Sequence, residues 1–351
     1  MTSSERVKRL KESLVKRNSD AILIADEKNI YYFTEFLGGF RLLVPSDGEN
    51  TLFVHSVNYE AAKNTVKNAS VELIKVGERA DVKILSEIKG HGFKSLGFDR
   101  LSAAEYLRMK DALKEVKMNP LDDVIWSLRK VKDDDELTLI KRAAELTSLG
   151  MKRGLEIIRP GLGEWEIAAE IEYEMRRMGS SGTAFDTIVC SGSDSAYPHG
   201  GSGERVIRGG EFVVIDIGAK HRGYCADMTR TIVVGEPSWR QKHMQETVKE
   251  AQKAAVKNVK HNVKAREVDG AARKVIAERG YGEYFVHSLG HGVGLDVHEP
   301  PKVGPTSEDV LLAGNIITIE PGIYIPGFGG VRVEDTFLIT EDGATKLTAD
   351  L

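Results

Sequence analysis

Residues 206–218 read VIRGGEFVVIDIG and residues 310–322 read VLLAGNIITIEPG. The two stretches align without a gap, matching Val206 with Val310, Gly210 with Gly314, Ile215 with Ile319 and Gly218 with Gly322, and Asp216 falls over Glu320. Upstream of each copy, apolar residues recur twice at helical spacing, over 136–158 and 164–178 before the first and over 242–259 and 266–279 before the second. The pattern predicts a duplicated helix-helix-hairpin unit with pseudo-twofold symmetry.

Working outward, residues 122–158 read as a connector entering a helix. Asp133, Asp134, Asp135 and Glu136 crowd its start, where the helix dipole favours negative charge, so the acidic run needs no metal to explain it. A boundary in this connector divides the chain into residues 1–125 and 126–351. The amino-terminal part is α/β: Val7, Leu10 and Leu14 have helical spacing, Ala21 to Ala25 reads as a buried strand, and Leu42 to Val44 with Leu52 to Val54 flank the turn PSDGEN. It holds no group of His, Cys and carboxylates at ligand spacing, which suits a scaffold, an oligomer contact or an active-site cover. The fold class is therefore α/β (α+β), a small α/β amino-terminal domain followed by the duplicated domain.

Composition agrees with that division and removes several functions. At 351 residues one core usually stops growing and two domains become the expectation. With 49 Lys plus Arg against 53 Asp plus Glu, the net charge of −4 offers no basic excess for a nucleic-acid partner. The opening MTSSERVKRLKESLVKRN is too charged for a secretory signal, and no run approaches the roughly 18 apolar residues of a membrane span. Cys190 and Cys225 form no CxxC pair and fit a reducing compartment. A cytoplasmic protein without a membrane partner is expected.

The chemistry lies in the two hairpins. In EFVVIDIGAKHRGYCADMTRTIVV (211–234), pairing about a centre between His221 and Arg222 sets Asp216 opposite Asp227 on one face. IITIEPGIYI (316–325) and GGVRVEDTFLI (329–339) repeat the arrangement, and pairing about Gly327 sets Glu320 opposite Glu334. Four facing carboxylates amid apolar neighbours repel one another, and divalent cations remove the conflict. His291 is the fifth candidate ligand. It lies in HSLGHGVGLDVHE (287–299), whose three histidines in so short a span point to a site, whereas its GxGxG lacks the following helix of a nucleotide loop. Oxygen-rich ligation with one imidazole and no thiolate suits Mn²⁺, Co²⁺ or Fe²⁺, and four anionic ligands balance two such ions. Two ions can hold a bridging hydroxide as nucleophile, so the site reads as metal-assisted hydrolysis.

VVIDIGA, ADMTRTIVVG, HSLGHGVGLDVHE, ITIEPGIYI and GGVRVEDT match in order and spacing the proline-specific metallopeptidases of the pita-bread fold, prolidase and aminopeptidase P. The chain resembles that family along its whole length. The resemblance implies that Asp216 binds one metal, His291 and Glu320 the other, and that Asp227 and Glu334 bridge both. It also implies that Glu320 handles the proton of the bridging water, and that His199, in SAYPHGG, and His298 contact substrate and stabilise the tetrahedral intermediate. Arg332 would read a substrate carboxylate, with His287 as a further substrate-side residue. Cleavage of Xaa-Pro dipeptides (prolidase) is the leading expectation; release of the first residue from longer Xaa-Pro peptides (aminopeptidase P) is the alternative. Two ions per subunit are implied, Mn²⁺ or Co²⁺ first and Fe²⁺ or Zn²⁺ as substitutes, in a homodimer. Phe185, Ile188 and Tyr197 are candidates for the proline pocket, although core packing is the commoner role for such residues. Cys225, two residues from Asp227, would share its face by strand alternation.

Overall fold

The computed structural model describes residues 1–351 and divides into Met1–Arg129 and Lys130–Leu351. In the first unit, helices α1 (Ser3–Lys16), α2 (Glu27–Thr34), α3 (Ser56–Thr65), α4 (Ala80–His91), α5 (Ala103–Ala112) and α6 (Asp122–Arg129) accompany six strands. These are β1 (Ala21–Ile24), β2 (Arg41–Pro45), β3 (Thr51–His55), β4 (Ser70–Ile74), β5 (Ser95–Phe98) and β6 (Lys117–Pro120), in the sheet order β4-β3-β2-β1-β5-β6. The PSDGEN turn closes an antiparallel pair in which Leu42 faces Leu52. Strand β1 is buried along its whole length, which is why it reads as a continuous apolar run rather than an alternating one.

The second unit opens with α7 (Asp134–Ile157) and α8 (Glu164–Arg177). Asp133 is the N-cap of α7, its carboxylate accepting from the Glu136 N–H at 2.9 Å while Glu136 answers the Asp133 N–H at 3.1 Å, so part of the acidic run is a capping box. Strands β7 (Gly182–Thr183), β8 (Ile188–Ser191), β9 (Phe212–Ile217), β10 (Ala219–His221), β11 (Tyr224–Cys225) and β12 (Met228–Val233) follow. The second copy then supplies α9 (Trp239–Val256), α10 (Ala265–Glu278), β13 (Gly290–Gly292), β14 (Glu299–Val303), β15 (Ile316–Ile319), β16 (Gly322–Ile325), β17 (Gly329–Arg332), β18 (Asp335–Ile339) and β19 (Ala344–Lys346).

The duplication is visible in the pairing. Sheet order β12-β9-β8 in the first half corresponds to β18-β15-β13 in the second, each sheet covered by its own helix pair. Single β-bridges, Gly163 to Val206 and Lys264 to Val310, tie the start of the second helix to the repeated stretch in both halves. Ile167, Ile171 and Met175 of α8 pack on Val213 and Ile215 of β9, and Val268, Ala272 and Ile276 of α10 pack on Ile317 and Ile319 of β15. Each such fully buried aliphatic side chain contributes roughly 1.5–3 kcal/mol. The two halves meet where the Glu334 N–H donates to the Thr229 carbonyl at 3.1 Å and the Asp227 N–H to Thr336 Oγ1 at 3.2 Å.

The register of the first hairpin differs from the expectation. Asp216 pairs with Thr229, not Asp227, and His221 pairs with Tyr224. Arg222 and Gly223 form a two-residue turn with φ of 47° and 86°, a left-handed pair that centres the hairpin one residue later and so slides the partner strand by two. A two-residue slide keeps every side chain on its face, so both carboxylates still point the same way. In the second hairpin, Ile319 to Asp335 and Gly322 to Arg332 carry Glu320 against Glu334, as expected.

Candidate active site

Asp216, Asp227, His291, Glu320 and Glu334 line one cavity of about 1180 Å³, together with His199, His287, His298 and Arg332. Each carboxylate lies at the end of a strand or in the break between two. Asp216 is the penultimate residue of β9, Asp227 precedes β12, Glu320 lies between β15 and β16, and Glu334 lies between β17 and β18. The breaks release the chain from ladder pairing where a side chain must turn inward.

The imidazole of His291 donates from Nδ1 to the Gly292 carbonyl at 3.1 Å, which turns Nε2 toward Glu320 Oε1 at 3.3 Å and Asp227 Oδ2 at 3.8 Å. Asp227, His291 and Glu334 bring ligand atoms within 4.8 Å of one another. Glu334 Oε2 accepts from the Thr229 hydroxyl at 2.6 Å and Glu320 Oε1 from the Thr318 hydroxyl at 3.2 Å. One oxygen of each of Asp216, Asp227 and Glu334 is buried without a hydrogen-bond partner. Orphaned carboxylate oxygens beside an imidazole nitrogen, with no thiolate, fit a hard divalent cation.

Electrostatics separates the four acids. Burial, then the charges of Glu334 and Asp216, pushes Asp227 well above the usual carboxylate range. Burial and the charges of Glu320 and Asp216 do the same to Glu334. Burial also works against ionised Glu320, but the hydrogen bond and charge of His291 outweigh it and bring that carboxyl down to about 2. Burial opposes a charge on His291 as well, yet Glu320 holds its imidazolium above the ordinary value. Burial lowers His287, and burial together with His291 lowers His298.

Arg332 occupies a position on the cavity wall at only 3% exposure. Its guanidinium donates to Asp216 Oδ2 at 2.5 Å, to the Tyr324 hydroxyl at 2.7 Å and to the Thr229 hydroxyl at 3.1 Å. The Tyr324 hydroxyl in turn lies 2.9 Å from His287 Nε2, whose Nδ1 donates to the Ser288 carbonyl at 2.7 Å. Tyr324 was missed from sequence, although the alternation 320, 322, 324 puts it on the face of Glu320. Lys302 was missed too, and it is the only other Lys or Arg on the cavity wall. Phe185 and Ile188 line the cavity while Tyr197 does not, being 64% exposed. Trp165, Ala168 and Ala169 of α8 complete that side, and nothing local in the sequence marks them. Cys225 is buried off the cavity wall, with Sγ 3.9 Å from the Leu295 carbonyl.

Comparison with known proteins agrees with this geometry. Metallopeptidase family M24 matches residues 138–341, and the creatinase/prolidase amino-terminal domain matches residues 6–131. The chain is 46% identical to an Xaa-Pro dipeptidase of Pyrococcus horikoshii over 98% of its own length and 97% of the relative's. The solved prolidase of Pyrococcus furiosus superposes with a TM-score of 0.90 at 41% identity, covering 97% of this chain and 99% of that one. The X-Pro aminopeptidase of Thermotoga maritima superposes with a TM-score of 0.91 at 35% identity, covering 98% of each chain. Five acid and imidazole ligand candidates in one cavity, on a pseudo-symmetric scaffold matched end to end, leave one conclusion: the chain is a pita-bread metallopeptidase belonging to family M24.

Proposed function

We propose that this metallopeptidase cleaves Xaa-Pro dipeptides. The observation that carries the reading is the convergence of four carboxylates and His291 on a cavity whose wall also holds His199, His298 and two permanent cations, Arg332 and Lys302. Similarity to Xaa-Pro dipeptidases supports it. Asp216, Asp227, His291, Glu320 and Glu334 would hold two divalent ions, Mn²⁺ or Co²⁺ by preference and Fe²⁺ or Zn²⁺ otherwise, with Asp227 and Glu334 shared between them. When bound, the ions supply Lewis acidity and an acidified water.

The protein's own groups do the rest. Glu320 would take the proton of the attacking water. His199 and His298 lie exposed on the wall and donate to the developing oxyanion, His298 as a neutral imidazole. Phe185 and Ile188 shape the apolar surface against which substrate packs. An Xaa-Pro bond lacks the N–H that ordinary peptidases hold, and nothing in this arrangement requires it. Arg332, with Asp216, Thr229 and Tyr324 taking three of its five N–H groups, keeps two for the substrate carboxylate, and Lys302 is the second reader of that charge. His287 holds the Tyr324 hydroxyl that braces Arg332.

The cavity volume of about 1180 Å³ exceeds what a dipeptide fills and favours aminopeptidase P activity as the second reading. Rates on Leu-Pro, Leu-Pro-Gly and Leu-Ala separate the possibilities. Dipeptidase activity predicts Leu-Pro far above the other two; Leu-Pro-Gly above Leu-Pro would install the second reading, and Leu-Ala equal to Leu-Pro would refute both. We further propose a division of labour between residues 1–125 and 126–351, a homodimer, and a cytoplasmic location. The burial of both Cys190 and Cys225 fits that location. Sedimentation at assay concentration tests the dimer.

A further inference from the structure

Lys132 and Glu299 form an ion pair, Nζ to Oε1 at 2.6 Å, with each side chain only 1% exposed. Burying both charges is expensive, and such a pair is seldom kept for stability alone, because apolar residues of similar volume do as well. Its place in the chain suggests another reason. Glu299 follows His298 directly, and the segment from Gly294 to Glu299 folds over the Glu299 carboxylate. The Gly294 N–H donates to the Asp296 carbonyl at 2.9 Å, and the Asp296 N–H reaches Glu299 Oε2 at 3.5 Å. A Cβ on Gly294 would meet the Glu299 carboxylate oxygens at 2.5 and 2.7 Å, so the segment is wrapped around that group with no room to spare.

Both ends of this arrangement are fixed. The Cys225 N–H, two residues from Asp227, donates to the Gly294 carbonyl at 2.8 Å. Lys132 is held by its own N–H, which donates to the Gly314 carbonyl at 2.9 Å, and it immediately precedes the Asp133 cap of α7. The carboxylate of Glu299 thus links an anchored lysine to the segment that presents His298, whose ring lies 4.2 Å from that of His291.

We infer that Lys132 and Glu299 are positioning residues for His298: the buried pair sets where that imidazole stands on the cavity wall and thereby acts on the rate of hydrolysis. The inference rests on the reading above that His298 contacts the reacting substrate. A displacement of about 1 Å in such a group costs roughly a hundredfold in rate.

The test is a double-mutant cycle on the metal-loaded full-length enzyme, with Lys132→Met, His298→Ala and the pair of substitutions together. Lys132→Met should lower kcat on a Xaa-Pro dipeptide about tenfold to a hundredfold, with KM within about threefold and metal content unchanged. In the His298→Ala background it should lower kcat no further. An undiminished loss in that background, or an unchanged kcat in Lys132→Met alone, overturns the inference. If His298→Ala retains full kcat, the role given to His298 fails, and the inference with it. Should Lys132→Met not fold, Lys132→Met/Glu299→Leu removes both charges and restores an apolar fit. A folded, metal-loaded double variant with low kcat supports positioning; one with normal kcat shows that the pair serves packing alone.

Discussion

The two hairpins of the catalytic unit carry the same number of carboxylates but do not treat them alike. In each, the acid on the first strand is matched to a cation of the protein: Asp216 to Arg332 at 2.5 Å, and Glu320 to His291 at 3.3 Å. The acid on the returning strand is matched less closely: Asp227 comes no nearer than 3.8 Å to His291 Nε2, and Glu334 meets the Thr229 hydroxyl rather than a cation. Asp227 and Glu334 are 4% and 1% exposed, and both pKa values are driven up by burial and then by neighbouring carboxylates, Glu334 and Asp216 for Asp227, Glu320 and Asp216 for Glu334. The duplication therefore produced an outer pair closely matched to cations of the chain and an inner pair that is neutralised by protons or by an added cation. The inner pair is where a shared metal position is most strongly demanded.

Breaking the inner pair should have the largest effect. Asp227→Asn or Glu334→Gln should abolish hydrolysis and reduce bound metal, with circular dichroism unchanged, because on the proposed sharing each substitution would remove a charge from both ions at once. Substantial activity in either variant would show that the inner acids are not shared. On the outer side, Arg332→Ala should lower kcat/KM about tenfold to a hundredfold on dipeptides and on Xaa-Pro-Yaa tripeptides, since it also releases Asp216; any excess loss on dipeptides measures the contact with the substrate carboxylate. Lys302→Ala should cost about tenfold on dipeptides and little on tripeptides. Equal losses on both substrates would remove Lys302 from carboxylate recognition.

The smallest effect is on proton balance. The inner carboxyls hold protons at pH values where a free carboxylate would not, so metal uptake must release them. Calorimetry in two buffers of different ionisation enthalpy should register protons released, and metal affinity should weaken as pH falls. The same raised values mean that the metal-free folded state binds more protons than the unfolded chain. Its stability should therefore decline as pH rises from the ordinary carboxylate range through the raised values. Metal affinity that fails to weaken as pH falls toward the ordinary carboxylate range would contradict the raised pair.

Much of this arrangement is legible in the sequence because it is written in two-residue and four-residue periods. The repeat at 206–218 and 310–322, the helix pairs before it and the second hairpin's register all follow from such patterns. The first register did not, because the turn at Arg222 and Gly223 depends on left-handed backbone angles that move the centre of pairing by one residue. The commitments of Arg332 to Asp216, Tyr324 and Thr229, and of Lys132 to Glu299, join residues brought together only by tertiary folding. Lys302 was equally hidden, since an exposed lysine four residues after His298 has no local mark distinguishing it from any solvated cation.

The most direct measurement is reconstitution of metal-free protein with Mn²⁺ or Co²⁺, counting bound ions while following hydrolysis of a Xaa-Pro dipeptide and a tripeptide with proline second. Two ions per chain, no turnover before loading, and dipeptide cleavage appearing with occupancy are the predicted results. Full activity in the metal-free protein, or two tightly bound ions retained by Asp227→Asn, would contradict a centre built on the shared inner carboxylates.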